Sequence, residues 1–347
     1  MPEKIQTALA SFGMSGRVFH GPTLKVNPDF EVMKILERTK TESVKMFPDS
    51  KIVRSYDEIL EDGNIRLVIV NTPDALHFSM AKAAIEAGKH VVVEKPFTLT
   101  SGEAVELINL AKENNVLLTV YQNRRWDGDF LTVQKMIREN VIGRIVEFES
   151  HYDRYRKVVT DTWKEKGGVY GGVLFSLGTH MIDQALILFG KPKTVTAHLD
   201  ILRNNGKTAD YYDIRFQYNG FAAILKCSLL VSEPGPRYII HGTDGSFLKW
   251  GIDPQEEALS AGASPGGKDW GKDPEKNWGI LNSESGAVRG KRKIETIAGD
   301  YRLFYVNLSR AIRKEEELAV KPEEALSVIE MAEACLLSNR LKKTIKI

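Results

Sequence analysis

The chain has 347 residues, a length that suits two domains better than one hydrophobic core. Hydrophobic residues make up 42% and charged residues 27%, as in ordinary folded soluble proteins, and the formal net charge is only +2. The sequence has no basic block, no closely spaced Cys/His set and no apolar run of ~20 residues, which argues against nucleic-acid binding, a metal site and a membrane span. Cys227 and Cys335 lie far apart, and the N-terminal stretch lacks a long apolar run, so we expect a reduced, cytoplasmic protein without a signal peptide.

The first 121 residues alternate short apolar runs with helical patterns. The runs predicted as strands buried on both faces are Ile5–Ala10, Glu31–Leu36, Leu67–Asn71, Val91–Val93 and Val116–Tyr121. Between them, Ala75–Ala87 and Ser101–Asn114 carry apolar residues at helical spacing. This alternation predicts a doubly wound parallel sheet with right-handed crossovers, a nucleotide-binding type of domain over residues 1–121.

After residue 122 the pattern changes to successive β-rich stretches. The predicted strands are Ile145–Tyr155, Thr194–Leu202, Tyr211–Tyr218, Ala222–Val231 and Arg237–His241. Several of them alternate apolar and polar residues, which predicts a mainly antiparallel sheet with one covered face. Gly178–Leu188, Tyr301–Arg313 and Pro322–Leu341 are predicted helices. Gly251–Arg292, rich in Gly, Pro, Lys and Asp, is predicted to be a long surface excursion, so residues 122–347 form an α+β domain.

A glycine-containing turn follows the first predicted strand. Ser11-Phe12-Gly13-Met14-Ser15-Gly16 matches G-x-G-x-x-G with Ser11 in place of the first glycine. Gly13 would let the backbone approach a pyrophosphate group, and Gly16 would let the following helix pack closely on the strand. Because the turn lies between a strand and a helix of a βαβ pattern, dinucleotide binding by Phe12, Gly13, Met14, Ser15 and Gly16 is favoured over a purely structural turn.

The second predicted strand ends at Leu36, where a dinucleotide-binding domain contacts the adenosine ribose. Glu37 could accept a hydrogen bond from a 2′-hydroxyl group and favour NAD. Arg38 and Lys40, with Thr39 as a further donor, could instead bind a 2′-phosphate group. Two cations against one carboxylate favour NADP, and the remaining alternative is that all three charges are merely solvated.

Two further motifs suggest proton chemistry. Glu94-Lys95-Pro96 follows a buried run at the carboxyl end of a strand, the edge at which open α/β sheets bind ligands. Oxidation of a hydroxyl group needs a residue that takes its proton, and a lysine beside a cationic nicotinamide ring should have a lowered pKa that suits it. His180 and Asp183 share one face of a predicted helix. His180 could join this proton transfer or bind the substrate oxygen, or it could be a structural histidine.

Together with the glycine turn and Val91–Val93, the motifs Glu94-Lys95-Pro96 and Gly178-Thr179-His180-Met181-Ile182-Asp183 resemble the glucose–fructose oxidoreductase/inositol dehydrogenase (Gfo/Idh/MocA) family. The match is closer to its NADP-dependent scyllo-inositol 2-dehydrogenase branch, in which stretches like Gly16–Pro22, Tyr121–Asp127 and Pro236–Gly242 recur in order. The resemblance covers essentially the whole chain. It implies a Rossmann domain, a C-terminal α+β domain whose large open sheet forms a homodimer or homotetramer, and hydride transfer between NAD(P) and a cyclic polyol or sugar.

The resemblance also implies roles for individual residues. Lys95 would be the catalytic lysine and His180 the active-site histidine. Further expected cofactor contacts are Thr72, Pro73, His77, Glu94, Lys95 and Asn123. Expected substrate contacts are Lys95, Arg124, Trp126, Asp127, Tyr152, Tyr155, Trp163, Ser176 and His180. The rings of Trp126, Tyr152, Tyr155 and Trp163 could stack on sugar faces or simply cover the sheet, and Arg124, Arg125, Arg154 and Arg156 could bind an acidic substrate or be solvated.

One departure from the family pattern keeps other functions open. Many members have an aspartate four residues before the histidine, where this chain has Ser176. A serine can form a hydrogen bond but cannot supply the negative charge that holds an imidazolium ion. The alternatives are a non-catalytic NAD(P)-binding regulator and an NAD-dependent glycosidase of the same fold. Retention of both Lys95 and His180 favours the dehydrogenase.

Overall fold

The computed structural model describes residues 3–160, 162, 165, 171–284 and 289–347. The chain divides into two compact units, each assembled from separate segments. The first unit consists of the chain up to Trp126, Pro254–Gly271 and Asp300–Ile329. The second consists of Asp127–Asp253, Lys272–Gly299 and Glu330–Ile347. The first unit therefore adds two segments from the second half of the chain to the expected residues 1–121.

The first unit contains a six-stranded parallel sheet in the order β3-β2-β1-β4-β5-β6. Its strands are β1 (Ile5–Leu9), β2 (Phe30–Leu36), β3 (Lys51–Val53), β4 (Leu67–Val70), β5 (His90–Val93) and β6 (Leu118–Val120). The strand order reverses between β1 and β4, which is the switch point of a doubly wound sheet. The predicted Rossmann architecture is confirmed.

Residues 5–9, 67–70 and 90–93 form strands because they are nearly continuous runs of β-branched and aliphatic residues, which both faces of the sheet bury. The expectation that Glu31–Leu36 is buried on both faces was wrong: Glu31 and Met33 point to solvent, and Met33 is 38% exposed. The strand lies next to β3, an edge strand of only three residues that pairs with Lys34–Leu36 alone. The first half of β2 therefore has no strand beside it on that side and is partly open to solvent.

The five predicted helices are present within a few residues of their expected bounds, whereas the helices at Asp57–Leu60, Gly128–Arg138 and Gln255–Ser260 were not predicted. In chain order the described helices are α1 (Gly21–Val26), α2 (Asp57–Leu60), α3 (His77–Glu86), α4 (Ser101–Glu113), α5 (Gly128–Arg138), α6 (Thr179–Phe189), α7 (Gln255–Ser260), α8 (Arg302–Ile312) and α9 (Pro322–Leu341). A capping box starts α4: Thr100 Oγ1 accepts from Glu103 N at 3.3 Å, and the Glu103 carboxylate accepts from Thr100 N at 3.1 Å. No helix in the described part of the chain is long and apolar enough to cross a membrane.

The second unit contains a nine-stranded sheet in the order β14-β13-β12-β11-β7-β10-β9-β8-β15. Its strands are β7 (Ile145–His151), β8 (Thr194–Asp200), β9 (Tyr211–Gln217), β10 (Ala222–Ser228), β11 (Tyr238–Gly242), β12 (Gly245–Lys249), β13 (Gly279–Ser283), β14 (Gly290–Ile294) and β15 (Ile345–Lys346). Only the β7–β10 pair among them is parallel. Tyr212, Ile214 and Phe216 alternate with less buried residues along β9, so the predicted mainly antiparallel sheet with one covered face is confirmed.

The predicted surface excursion at Gly251–Arg292 was wrong over much of its length. It contains α7, which belongs to the first unit, together with β13 and the start of β14 in the large sheet. Leu281 pairs with Phe247 across β13 and β12, and both side chains have no exposed surface. Gly279 is required beside them, because a Cβ atom there would lie 2.3 Å from the Phe247 ring. The prediction failed because glycine is typical of loops, whereas Gly279 serves here to allow close packing within a sheet.

Candidate functional site

The glycine turn joins β1 to the first helical segment and is anchored to the end of β4. Ser11 N donates to Asn71 Oδ1 at 2.9 Å, Asn71 Nδ2 donates to Ser11 O at 2.9 Å, and Ser11 Oγ donates to Asn71 O at 2.8 Å. A Cβ atom on Gly16 would lie 2.9 Å from both Ser11 O and Asn71 Nδ2. Gly16 is therefore needed for the close approach of helix and strands. Gly13 is exposed, and a Cβ atom there would meet only Ser11 Oγ, at 3.8 Å.

This turn fits a dinucleotide pyrophosphate. It lies at the β1/β4 switch point, its exposed Gly13 leaves the backbone accessible, and a helical segment follows directly. Among the residues that the structure describes, the hydroxyl groups of Ser15 and Thr72 have no hydrogen-bond partner, although both atoms are buried. Both residues were predicted to contact the cofactor, and unsatisfied hydroxyl groups at such a position suit a bound polar ligand.

Glu37 is a structural residue. Its carboxylate caps the short turn Glu42–Lys45: Oε2 accepts from Glu42 N at 2.9 Å, and Oε1 accepts from Ser43 N at 2.9 Å and from Ser43 Oγ at 2.5 Å. The residue is only 6% exposed. Because this buried carboxylate already accepts three hydrogen bonds from its own chain, it is poorly placed to accept one from a ribose 2′-hydroxyl of NAD.

The three residues after Glu37 are all exposed. Lys40 Nζ donates to Glu42 at 2.8 Å, and the Arg17 guanidinium group lies 3.1 Å from the same carboxylate. The hydrogen bond from Lys40 is the main reason that the pKa of Glu42 lies below its usual range. Lys40 is thus paired with Glu42, whereas Arg38 presents an exposed cation next to Glu37, whose carboxylate faces inward, and this arrangement fits a 2′-phosphate group.

Glu94 directly precedes Lys95 at the end of β5, and polar groups enclose its carboxylate. Glu94 is 7% exposed, Oε2 accepts from the Lys95 backbone N–H at 3.0 Å, and Oε1 lies 3.0 Å from His20 Nε2. Burial raises the pKa of Glu94, but the hydrogen bond with His20 and the charges of His20, Lys95 and His77 outweigh it and lower the pKa to about 2. An ionised carboxylate therefore adjoins the half-buried Lys95 at neutral pH.

His77 holds two loops together. Its ring is fully buried, Nδ1 lies 2.7 Å from Pro96 O, and Nε2 lies 3.0 Å from Thr72 O. The expectation that His77 contacts the cofactor was wrong, because a side chain without exposed surface and with both nitrogens engaged cannot reach a ligand. Thr72 is half-buried and Pro73 is exposed, so the loop itself remains accessible.

The tight turn Asn123–Trp126 follows β6, and its two arginines are neutralised. Arg124 Nη2 forms a short ion pair with Glu256 on α7, and Arg125 Nη1 lies 2.7 Å from Glu324 Oε2. Both arginines are at least nine-tenths buried. The alternative that these two arginines are solvated was therefore wrong, and contact of either one with substrate stays a prediction. Asn123 and Trp126 lie on the same turn; Asn123 is 5% exposed, and the Trp126 ring packs on Phe304 at 5.9 Å.

His180 lies in the first turn of α6, which continues a π-helical turn, Leu174–Gly178. His180 is 4% and Asp183 2% exposed. The Ser176 hydroxyl group donates to Gly172 O at 2.8 Å, so it is bonded to the backbone of the preceding turn. Asp127, expected near the substrate, has no exposed surface at the start of α5. The roles of His180 and Ser176 stay predictions.

The predicted aromatic substrate wall is only partly accessible. Tyr152 has no exposed surface, and the guanidinium groups of Arg154 and Arg237 lie 5.2 and 4.8 Å from its ring centre. Its assignment as a residue that contacts substrate was wrong, since cation–π packing covers the ring. Tyr155 is 59% exposed. Trp163 lies outside the described residues.

Two family models match this chain. The model described as "Oxidoreductase family, NAD-binding Rossmann fold" matches residues 5–122, and the one described as "Oxidoreductase family, C-terminal alpha/beta domain" matches residues 134–347. The chain belongs to the Gfo/Idh/MocA oxidoreductase family. It is thus an oxidoreductase with an NAD(P)-binding Rossmann domain. Within the described residues, no group of His, Cys, Asp or Glu side chains could hold a metal ion.

Known proteins resemble this member of the Gfo/Idh/MocA family over their full length. The scyllo-inositol 2-dehydrogenase (NADP(+)) IolW of Bacillus subtilis is 43% identical over 99% of this chain and 96% of its own length. The solved structure of yvaA from Bacillus subtilis is 42% identical, with a TM-score of 0.96 over 99% of both chains. A solved structure from Bacteroides fragilis is 44% identical, with a TM-score of 0.92 over 99% of this chain and 100% of its own.

Three residues of this Gfo/Idh/MocA protein, the buried His20 and Arg237 and the partly buried Glu256, were not predicted as site components. His20 contacts Glu94, Glu256 neutralises Arg124, and Arg237 packs on Tyr152. Their partners are 74, 132 and 85 positions away in sequence, so no local pattern connects them. Glu256 lies in Gly251–Arg292, which was predicted to be a surface excursion, so nothing in its local sequence indicated a contact with Arg124.

Proposed function

We propose that this protein is an NADP-dependent dehydrogenase that transfers hydride between the cofactor and a cyclic polyol or ketose of the inositol/inosose type. The observation that carries the proposal is the 43% identity to scyllo-inositol 2-dehydrogenase (NADP(+)) IolW over nearly the whole of both chains. The preference for NADP is further supported by the engaged carboxylate of Glu37 and by the exposed cations that follow it.

Residues of the first unit would hold the cofactor. The glycine turn would bind the pyrophosphate, and Arg38, Thr39 and Lys40 the 2′-phosphate. The loop at Thr72 and Pro73 follows β4, between β1 and β5, and would contact a further part of the cofactor. Glu94, Lys95 and Asn123 follow β5 and β6 at the carboxyl edge of the sheet, where a bound nicotinamide ring is expected. Bound NADP supplies the hydride acceptor.

Lys95 and His180 would handle the proton. As the carbinol carbon loses hydride, its hydroxyl proton passes to the Lys95 amine, and in the reverse direction the Lys95 ammonium returns it to the carbonyl oxygen. His180 would donate a hydrogen bond to the same oxygen or share the proton. Ser176 would take part only by hydrogen bonding, since it carries no charge.

The neutralised arginines support an uncharged substrate. Glu256 offsets the charge of Arg124, and Glu324 offsets that of Arg125, so a phosphorylated sugar would find less net positive charge than the sequence suggests. Trp126 and Tyr155, which have exposed surface, stay candidates for contact with a neutral polyol, whereas Arg124 is nearly and Asp127 fully buried.

The domain roles and the assembly belong to the same proposal. Residues 1–121 would supply dinucleotide binding, and residues 122–347 substrate binding and oligomerisation. A homodimer or homotetramer would cover the partly exposed face of the nine-stranded sheet, and light scattering at a single-chain mass would contradict it. The protein would act in the cytoplasm.

Mixing the protein with NADP and scyllo-inositol tests the function directly, with absorbance of NADPH as the measurement. Net NADPH formation supports the dehydrogenase. Hydrolysis of a glycoside without net NADPH would indicate the NAD-dependent glycosidase. Binding of NADP without turnover across inositols, glucose and their keto forms would indicate the regulator. The last two outcomes would overturn the proposal.

A further inference from the structure

A buried chain of hydrogen bonds leads from α8 to the Lys95 turn. Tyr305 Oη lies 2.5 Å from His20 Nδ1, His20 Nε2 lies 3.0 Å from Glu94 Oε1, and Glu94 Oε2 accepts from the Lys95 backbone N–H at 3.0 Å. Tyr305 and His20 have no exposed surface, and Glu94 is 7% exposed. All four residues belong to the first unit. Water therefore hardly reaches this chain, and its geometry is set by the protein.

The ionised carboxylate of Glu94 fixes the direction of its hydrogen bond with His20. Glu94 is ionised, so its carboxylate can only accept, and His20 Nε2 must carry the proton that it donates. Burial raises the pKa of Tyr305 well above its usual value, so this hydroxyl group stays protonated and can donate to Nδ1. Both ring nitrogens of His20 are therefore engaged: Nε2–H donates to Glu94, and Nδ1 shares a hydrogen bond with the Tyr305 hydroxyl group.

The surroundings hold the His20 ring in place. The Tyr121 ring at the end of β6 packs on it with a centroid distance of 4.3 Å, and burial raises the pKa of the Tyr121 phenol above its usual value, so it also stays neutral. The charged groups that act on Glu94 from neighbouring loops are Lys95 and His77. His20 itself ends the π-helical turn Gly16–His20, an unusual turn that is frequent at functional sites.

We infer that His20 is a positioning residue for Lys95: it holds the Glu94 carboxylate so that it accepts the Lys95 backbone N–H and places an anion beside the lysine, and the hydrogen bond with Tyr305 holds the His20 ring in place. This inference rests on the proposed role of Lys95 in proton transfer. It adds two fully buried residues, His20 and Tyr305, that would act on Lys95 through Glu94 and not by contact with substrate or cofactor.

The physical need for His20 follows from the burial of Glu94. Burial favours the neutral carboxyl group, and the interaction with His20 is the largest effect that keeps it ionised. Without His20, the pKa of Glu94 rises, and below that pKa the protonated group is a poorer acceptor and no longer an anion beside Lys95. The activity of a variant without His20 should then fall at acid pH. The native protein should show no such loss, because its Glu94 stays ionised there.

Two variants test this role, with one matched control. His20→Phe keeps a ring but cannot bond to Glu94, and Tyr305→Phe removes only the hydroxyl group and keeps the aromatic packing. Tyr56→Phe is the control, because its partly buried hydroxyl group likewise donates one bond, to Met80 O at 2.9 Å, away from the Lys95 turn. We expect kcat to fall by about 10-fold in Tyr305→Phe and by about 100-fold in His20→Phe, with KM for NADP within about 2-fold of the native value.

The pH profile separates positioning from a merely structural role. His20→Phe should show a new loss of kcat on the acid side, whereas Tyr56→Phe should keep the native profile and kcat. If Tyr305→Phe lowers only the thermal midpoint, as Tyr56→Phe does, and its kcat is native, the inference is overturned. Tyr305→Phe keeps the test decisive if His20→Phe fails to fold.

A labelling experiment distinguishes failure of this inference from failure of the proposed function. The rate at which acetic anhydride acetylates Lys95 is measured by mass spectrometry without substrate or cofactor, relative to the exposed Lys112. Tyr305→Phe and His20→Phe should change the relative rate and its pH dependence, and Tyr56→Phe should not. If labelling of Lys95 changes in the two variants but the native protein does not turn over inositols, only the proposed function is contradicted. Unaltered labelling in an active dehydrogenase would sink only the positioning role.

Discussion

Asn71 and Ser11 are joined by three hydrogen bonds, two of them between the Asn71 side-chain amide and the Ser11 backbone. They tie the end of β4 to the end of β1, so the two strands at the switch point of the sheet share one rigid corner. Gly16 rests against this corner and cannot bear a side chain. The serine that replaces the first glycine of the motif thus has a structural role in the phosphate-binding turn.

The two glycines of the turn should respond differently to alanine. In Gly16→Ala, the new Cβ atom would lie 2.9 Å from Ser11 O, so we expect the free energy of unfolding to fall by about 1–3 kcal/mol. In Gly13→Ala, the Cβ atom meets only Ser11 Oγ at 3.8 Å, so stability should stay native while the Kd for NADP rises about 10-fold, or ~1.4 kcal/mol. Thermal unfolding and cofactor titration measure both effects. Native cofactor affinity in Gly13→Ala would show that the pyrophosphate binds elsewhere.

Arg38 should determine the choice of cofactor. Loss of a charge-assisted bond to a 2′-phosphate costs about 1.5–3 kcal/mol, so Arg38→Ala should lower kcat/KM with NADPH by roughly 10- to 100-fold and leave kcat/KM with NADH nearly unchanged. The control is Arg66→Ala, an exposed arginine before β4. A native protein that strongly prefers NADH, with a preference that Arg38→Ala does not alter, would refute the assignment of NADP.

Lys95→Ala tests the proton transfer. Loss of general acid–base assistance should lower kcat by at least ~100-fold, and the Kd for NADP should change little. Lys95→Ala should be compared with Lys89→Ala, a buried lysine just before β5 whose ammonium group donates to Asp62 O at 2.7 Å. Near-native turnover in Lys95→Ala would remove the lysine from the mechanism, whatever the result for His180.

Glu94 should stabilise the fold in a pH-dependent way. Its pKa in the folded protein is about 2, below the usual 4.5, so its ionised form contributes stability above about pH 4.5 that is lost as pH falls towards 2. The contribution is on the order of 3 kcal/mol at neutral pH. The difference in free energy of unfolding between the native protein and Glu94→Gln should therefore be constant above about pH 5 and shrink below it. Urea unfolding across this range measures it, with the exposed Glu113→Gln as control, and a difference that grows as pH falls would contradict the ionised carboxylate.

Much of the fold was predictable because strong local patterns produced it. Pro322–Leu341 was predicted with its observed bounds, and the five predicted strands of the parallel sheet are present. The missed strands are the three-residue β3, the segments β12 to β14 and the two-residue β15. In β12 and β13, glycines admit close packing, and the exposed edge strand β14 carries Lys291, Arg292 and Lys293, so neither pattern distinguishes a strand from a loop.

Site residues were predictable where they belong to a short sequence motif, and less so where their contacts come from residues far away in sequence. The glycine turn, Glu94 and Lys95 could be placed at the carboxyl edge of the sheet from sequence. The burial of His77 and Tyr152 could not, because nothing in their local sequence shows that carbonyl groups or arginines enclose them. The engagement of Glu37 depends on a turn that begins five residues later, whose hydrogen bonds only the folded chain reveals.

The most direct test of the central claim follows the hydrogen atom itself. scyllo-Inositol that carries deuterium on its ring carbons is incubated with the protein and NADP, and the reduced cofactor is examined by mass spectrometry. The account predicts NADPH that has gained one deuterium atom and an inosose as the other product, both strongly reduced in Lys95→Ala. Tight NADP binding with no deuterated NADPH from any inositol would contradict it.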